Sequence, residues 1–167
     1  MINTLGEPLD KYLLWEWHLI LKQGTVDDEI GNIGKWKKYS NRLSKTDLKL
    51  CEPHLVENSI FNLFEDWKES KKDIFDIANF HQKFEQIHPF QDGNGRIGRF
   101  IILKQCIENN VDLISIDNEY RSSLYQAQTT NNLDTLVSVF EKCQFRLDIK
   151  LSDFFELIGQ VSKEVNS

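Results

Sequence analysis

The chain has 167 residues and a formal net charge of −6, with 40% hydrophobic and 28% charged residues. That is the profile of one soluble globular domain able to bury a single core. The acidic balance argues against a general nucleic-acid binder, whose affinity comes from neutralising phosphates, and no apolar run reaches the roughly 18–20 residues of a membrane span.

Three widely spaced cysteines, Cys51, Cys106 and Cys143, form no CxxC, so neither a disulfide framework nor a zinc site is expected. Cys106 and Cys143 sit in apolar helical patterns and read as small core residues. Met1 to Asp10 is neither basic nor apolar enough for a signal peptide, and the composition suits a reducing cytoplasm.

In chain order, Pro8 is placed to open a first helix. Leu9, Tyr12, Leu13, Trp15, Trp17, Leu19 and Ile20 carry a broad apolar stripe to about Lys22. Gly24, Gly31 and Gly34 mark a loop. Lys35, Lys37 and Lys38 cluster around Trp36 and read as a solvated loop. Residues 35–52 lack helical period, and a small β-hairpin flap is expected near residues 38–50. Pro53 starts a helix with Leu55, Val56, Ile60, Leu63, Phe64 and Trp67 on one side, and Lys68 to Lys72 is a polar turn.

Asp73 is a good N-cap for the next helix, whose apolar positions are Ile74, Ile77, Phe80, Phe84 and Ile87. The row 77, 81, 84, 88 follows helical spacing, so His88 ends an inward-facing stripe. Pro89 breaks the helix there and biases His88 away from helical angles. Asp92-Gly93-Asn94-Gly95 is a turn. Arg96 to Glu108 is apolar almost all round and predicts a central, buried helix, ended by Asn109-Asn110. Further helices follow from about Asn118 to the C-terminus. No repeat, low-complexity tract or linker is evident. The chain reads as a single all-α domain over 1–167, with a core of about 9–147 and a C-terminal helix of about 149–164.

The chemistry concentrates in His88-Pro89-Phe90-Gln91-Asp92-Gly93-Asn94-Gly95-Arg96-Ile97-Gly98-Arg99. Gly93 and Gly95 allow positive φ and close backbone approach to a ligand. The turn leads straight into the buried helix, whose free N–H groups and positive dipole end make an anion site. Arg96 and Arg99 add two charges with the fork geometry that suits phosphate, which points to a di- or triphosphate. Asp92 beside them is a candidate magnesium ligand, because that ion is held by one or two carboxylates plus substrate phosphates. His88 is a candidate general base. His81, seven residues earlier, reads as structural rather than as half of a metal pair. Gly93-x-Gly95-x-x-Gly98 also fits the dinucleotide fingerprint GxGxxG, but a helix and a proline precede it where that fingerprint needs a strand.

This run resembles the signature of the Fic (filamentation induced by cAMP) domain family, HPFx(D/E)GNGRxxR, and matches it at every fixed position. The likeness extends more loosely from about Leu9 to Leu147. The resemblance implies a bundle of about six to eight helices with a hairpin flap. It implies a protein adenylyltransferase that moves AMP from ATP to a Ser, Thr or Tyr hydroxyl and releases pyrophosphate. His88 would be the base, Asp92 would hold Mg2+, and Pro89 and Phe90 would shape the loop. Gly93, Asn94 and Gly95 would bind the α- and β-phosphates, Arg96 the β-phosphate region and Arg99 the γ-phosphate. A target protein would dock on the flap by strand addition. The family often carries Gly-x-x-Arg ahead of the flap, where this chain has Gly34 to Lys37.

Many such proteins are restrained by a helix bearing (S/T)xxxE(G/N). Ser152 to Glu156 has the first spacing but is followed by Leu157, which leaves Glu156 a weak inhibitory candidate. Restraint by a regulatory protein or a homo-oligomer is the alternative. The loop also admits AMP removal from a modified protein, transfer of another nucleotide (UTP or GTP as donor), or nucleotide binding without catalysis, to which an intact His88 is ill suited.

Overall fold

The computed structural model describes residues 2–43, 46–116 and 118–146. Helix α1 (Lys11–Lys22) starts later than Pro8 because Asp10 is the cap: its backbone is extended and its carboxylate accepts the Leu13 N–H at 2.9 Å. The buried face is Leu13, Leu14, Trp17, His18 and Lys22, so the stripe lies one step round from the expected one, and Tyr12, Leu19 and Ile20 are exposed. A short α2 (Val26–Glu29) follows. Pro53 opens a 3-10 turn (Pro53–Leu55) that continues into α3 (Val56–Glu69).

Helix α4 (Ile74–Ile87) begins on the expected cap, with Asp73 accepting the Asp76 N–H at 3.0 Å. Helices α5 (Asn94–Glu108), α6 (Tyr120–Thr130) and α7 (Asp134–Lys142) complete the bundle. Among the described residues no helix is long and apolar enough to cross a membrane. The expected C-terminal helix, and Glu156 with it, lie outside the described residues.

The small sheet is not where the sequence placed it. Two residue pairs, Leu113–Ile114 (β1) with Gln144–Phe145 (β2), join antiparallel in the register Leu113 to Phe145. The described residues of 38–50 form no strand. Their polar groups are taken by the 88–93 loop instead: Tyr39 N–H donates to Gln91 Oε1, and the Asn41 amide donates to the carbonyls of Phe90 and Gln91.

Two apolar clusters share α4 and α5. One joins Leu13, Leu14 and Trp17 to α3, to Phe80, Phe84 and Ile87, and to Phe90, Ile97 and Ile101. The other joins Ile77 and Ala78 to Ile102, Cys106, Tyr120 and the α7 residues Leu136, Val139 and Phe140. Helix α5 is thus central, as its all-round apolar pattern required. Cys143 is only half-buried, at the edge of the second cluster. Lys104 is fully buried within this scaffold, its ammonium donating to Thr4 O and Glu108 Oε1.

The approach of α4 to α5 is closest at Gly98. A Cβ there would stand 2.5 Å from Glu85 Oε1 and 2.9 Å from His81 Cε1. At Gly95, on the same helix, a Cβ would meet only Arg99 Nη1 at 3.8 Å and Glu85 Oε1 at 4.0 Å. Overpacking at Gly98 costs about 1–3 kcal/mol and outweighs the roughly 1 kcal/mol that Gly→Ala returns in a helix interior. Gly98→Ala is therefore expected to lower stability in urea unfolding, while Gly95→Ala leaves it equal or higher. Equal stability for Gly98→Ala would show that the two helices separate there without cost.

Candidate active site

The loop joins the end of α4 to the start of α5 in six residues. His88 caps α4 in the left-handed region (φ 50°, ψ 62°) with its N–H still donating to Phe84 O at 2.9 Å. Left-handed backbone is unfavourable for a non-glycine residue, so neighbours must hold it. Lys37 does so from both sides: its ammonium donates to Ile87 O at 3.1 Å and its backbone N–H to Pro89 O at 2.8 Å. Lys37 is only 4% exposed, which corrects its reading as part of a solvated loop. Burial pulls its pKa below the usual lysine range.

Asn94 closes the loop internally. Its amide accepts from Phe90 N–H at 2.8 Å and donates to Phe90 O at 2.9 Å. That side chain is committed to the loop, so only its backbone N–H can face a phosphate. Gly93 adopts φ 85° and supplies no side-chain cap to α5, which leaves the first amides of that helix pointing outward. Arg96 and Arg99 on its opening turns are both exposed. The residues expected at an anion site thus lie together at the start of α5, with Gly93 and Asn94 buried and Arg96 and Arg99 exposed.

Three residues that sequence reasoning missed complete it. His18 stacks flat on Phe90, ring centroids 4.1 Å apart. Its Nδ1 accepts from Gly34 N–H at 3.1 Å, so Nε2 carries the proton and donates to Asp92 O at 3.0 Å. Burial keeps the ring neutral by pulling its pKa down. Lys22 pairs with Asp92 and with Asp27, each at 2.5 Å. Burial works against the Lys22 charge, but the two carboxylates outweigh it and raise its pKa. The Lys22 ammonium, then the Gly93 N–H, and last Arg96 at 3.4 Å hold the Asp92 carboxyl below the usual range against the effect of burial, so it is anionic near neutrality. The signal for His18 and Lys22 was their four-residue spacing on the buried face of α1.

Glu85 is the third. It lies one turn before His88, and its Oε2 stands 3.8 Å from His88 Nδ1. Burial drives its carboxyl up to about 7, with Arg99 opposing. Burial drives His88 down to about 4, with Lys37 adding to the effect. His81, as expected, is structural: fully buried, it meets the Tyr120 hydroxyl through Nε2 at 2.5 Å. A groove of about 430 Å³ lined by Lys49, Cys51, Ser59, Lys83 and Gln86 lies alongside. It contains neither His88 nor Asp92, so the loop, not the cavity, locates the chemistry.

The Fic/DOC family model matches residues 8–106. A probable protein adenylyltransferase of Aquifex aeolicus is 36% identical over 81 residues, which is 46% of this chain and 25% of that protein. The chain thus spans about a quarter of that curated relative. Among solved structures, the BepC protein of Bartonella tribocorum with bound AMPPNP superposes with a TM-score of 0.71 at 15% identity, covering 88% of this chain and 81% of the other. An ADP-bound Fic domain from Bartonella quintana gives 0.69 at 16% identity, covering 88% and 80%. A Fic-domain signalling protein of Bacteroides thetaiotaomicron gives 0.62 at 21%, covering 97% and 61%. The signature loop, the helices that carry it and a family match over more than half of the chain agree: this protein belongs to the Fic/DOC family.

Proposed function

We propose that this domain is a protein adenylyltransferase, moving AMP from ATP to a Ser, Thr or Tyr hydroxyl of a target protein. The observation that carries the reading is a half-buried, neutral histidine set by its backbone beside the positive end of α5 and its two arginines. Binding alone needs no such base. The Aquifex relative is named as a probable adenylyltransferase, and the two Bartonella relatives hold adenine nucleotides, which supports ATP as the donor.

In this reading the backbone N–H groups of Gly93, Asn94 and Gly95 receive the α- and β-phosphates, Arg96 the β-phosphate region and Arg99 the γ-phosphate. Because His88 Nδ1 faces Glu85 O at 3.3 Å, that nitrogen carries the ring proton and Nε2 offers its lone pair. Nε2 takes the proton of the target hydroxyl. The hydroxyl oxygen bonds to the α-phosphorus, the bond to the bridging oxygen breaks, and pyrophosphate leaves with that electron pair. Catalysis is then mainly positioning and charge neutralisation.

Asp92 would hold Mg2+. Its carboxyl is anionic and 61% exposed, and among the described residues no group of three His, Cys, Asp or Glu could hold a metal. An ion there would complete its shell from phosphate and water, which is how magnesium is usually bound, and would neutralise phosphate charge. The target would dock by strand addition along 38–50, where Tyr39 is 69% exposed.

Incubation with labelled ATP, Mg2+ and cell lysate tests the assignment. His88→Ala is expected to lose about a hundredfold or more of the labelling, the usual contribution of a positioned base. Labelling that persists in the variant would sink the catalytic role. For Arg99→Ala, ATP binding by calorimetry is expected to weaken about ten- to a hundredfold, as for a lost charge-assisted bond of roughly 1.5–3 kcal/mol. ADP affinity is expected to hold; equal loss for ADP and ATP would remove Arg99 from the γ-phosphate.

A further inference from the structure

We propose that Glu85 is a positioning residue for the reaction, its buried carboxylate stabilising the imidazolium that forms when His88 takes the hydroxyl proton. The inference rests on the adenylyltransferase reading and goes beyond it, because Glu85 lies outside the signature loop.

The geometry sets Glu85 between the base and the phosphate site. One oxygen, Oε2, is 3.8 Å from His88 Nδ1, and the Glu85 side chain is 9% exposed. The other, Oε1, is fully buried and has no hydrogen-bond partner in the structure. It lies over Gly98, facing the same edge of Gly95 that Arg99 Nη1 faces. A buried carboxyl with an unpartnered oxygen is destabilising by roughly 1–3 kcal/mol, and packing alone would favour an apolar side chain at this site. No hydrogen bond to Oε1 repays its burial, and the cation that acts on the carboxyl, Arg99, lies on the loop side of α5.

Around Glu85 stand Arg99 from α5, Tyr120 from α6, and His81 and His88 from α4 and its cap. Arg99 favours the carboxylate, and Tyr120 is a phenol held neutral by burial. Around His88 stand Lys37, Asp92 and Glu85. Burial, and then Lys37, disfavour a protonated ring; the Glu85 carbonyl and Asp92 oppose them without outweighing them. That suits the resting base but penalises the imidazolium. A carboxylate at 3.8 Å offsets the penalty at the moment the charge appears. The proton passes from the target hydroxyl to Nε2 and later to solvent, while Glu85 keeps its own protonation state. Because burial sets the Glu85 carboxyl near 7, the supporting form is present above that pH and lost below it.

The test uses the full chain and the Glu85→Gln and Glu85→Asp variants. AMP transfer by the wild type is expected to rise about tenfold as pH increases through about 7, a part of the roughly 10²–10⁴-fold that general bases supply. Glu85→Gln is expected to be slower by about that factor above the inflection and flat across it, with an unchanged KM for ATP. A second readout is independent of transfer. In NMR of histidine-labelled protein, assigned with His88→Ala, the His88 ring resonances are expected to shift near pH 7 in wild type and Glu85→Asp but not in Glu85→Gln.

A wild-type ring that passes through pH 7 unmoved overturns the proposal. So does a Glu85→Gln enzyme that keeps the wild-type pH profile, which is what a merely structural role would give. If the wild type transfers no nucleotide, the adenylyltransferase reading fails, and the ring titration still decides the coupling of Glu85 to His88.

Discussion

The contact on which this structure depends is the approach of α4 to α5 at Gly98. With no side chain there, Glu85 and His81 of α4 lie directly on the α5 backbone. The two helices are thereby fixed at the level of the loop that joins them, so the end of one and the start of the other face a common space. That His88, the proposed base, at the C-terminal end of α4 faces the N-terminal end of α5 follows from that one packing decision. The helix dipole adds to it, since only the N-terminus of α5 presents free amides to this space.

The six-residue connection could not hold its shape on helix packing alone. His88 is in a left-handed conformation that an L-residue adopts reluctantly, and Pro89 prevents relief by extending α4. The conformation persists because the surroundings over-determine it. Lys37 grips the carbonyls on either side of His88, Asn94 brackets Phe90, and His18 is stacked on Phe90 while bonded to Asp92 O. These buried polar groups form a frame around the loop.

Much of this was legible in the sequence, for identifiable reasons. Helices α4 and α5 were evident because local signals agreed with the tertiary outcome: an Asp73 cap, a stripe ending at His88, a proline stop, a glycine turn and an all-round apolar run. The loop residues came together as expected because they are adjacent in the chain. What escaped depends on distant partners. The face of α1 was read one step off because aromatic and aliphatic residues lie on both sides of it, and only packing decides which are covered. Lys37 read as part of a solvated loop, and Lys22 only as the end of a stripe, because their partners, the Ile87 carbonyl and Asp92, are 50 and 70 residues away. The hairpin near 38–50 failed for a related reason: its backbone and side-chain groups found a loop, while two-residue strands formed at 113–114 and 144–145, too short for periodicity to reveal.

The separation of charges across the loop has a consequence for how the site works. On the outer side, Asp92 and Arg96 are exposed members of ion pairs, Lys22 is the buried partner of Asp92, and Arg99 is exposed, as the proposed exchange of a polyanion requires. On the inner side, His88 and Glu85 are desolvated, and burial moves their pKa values in opposite directions, toward neutral forms. A half-buried base kept uncharged accepts a proton readily only if the resulting charge is met locally, because burial limits what water can do. Lys37 cannot do so, being a cation, and Asp92 is already engaged by Lys22 and Arg96. Of the groups around His88, Glu85 alone has a carboxylate oxygen turned toward Nδ1. The helix pair thus sets a carboxyl of raised pKa behind the proposed base and cationic side chains in front of it, the arrangement that the proposed transfer, which creates positive charge on one side and moves negative charge on the other, requires.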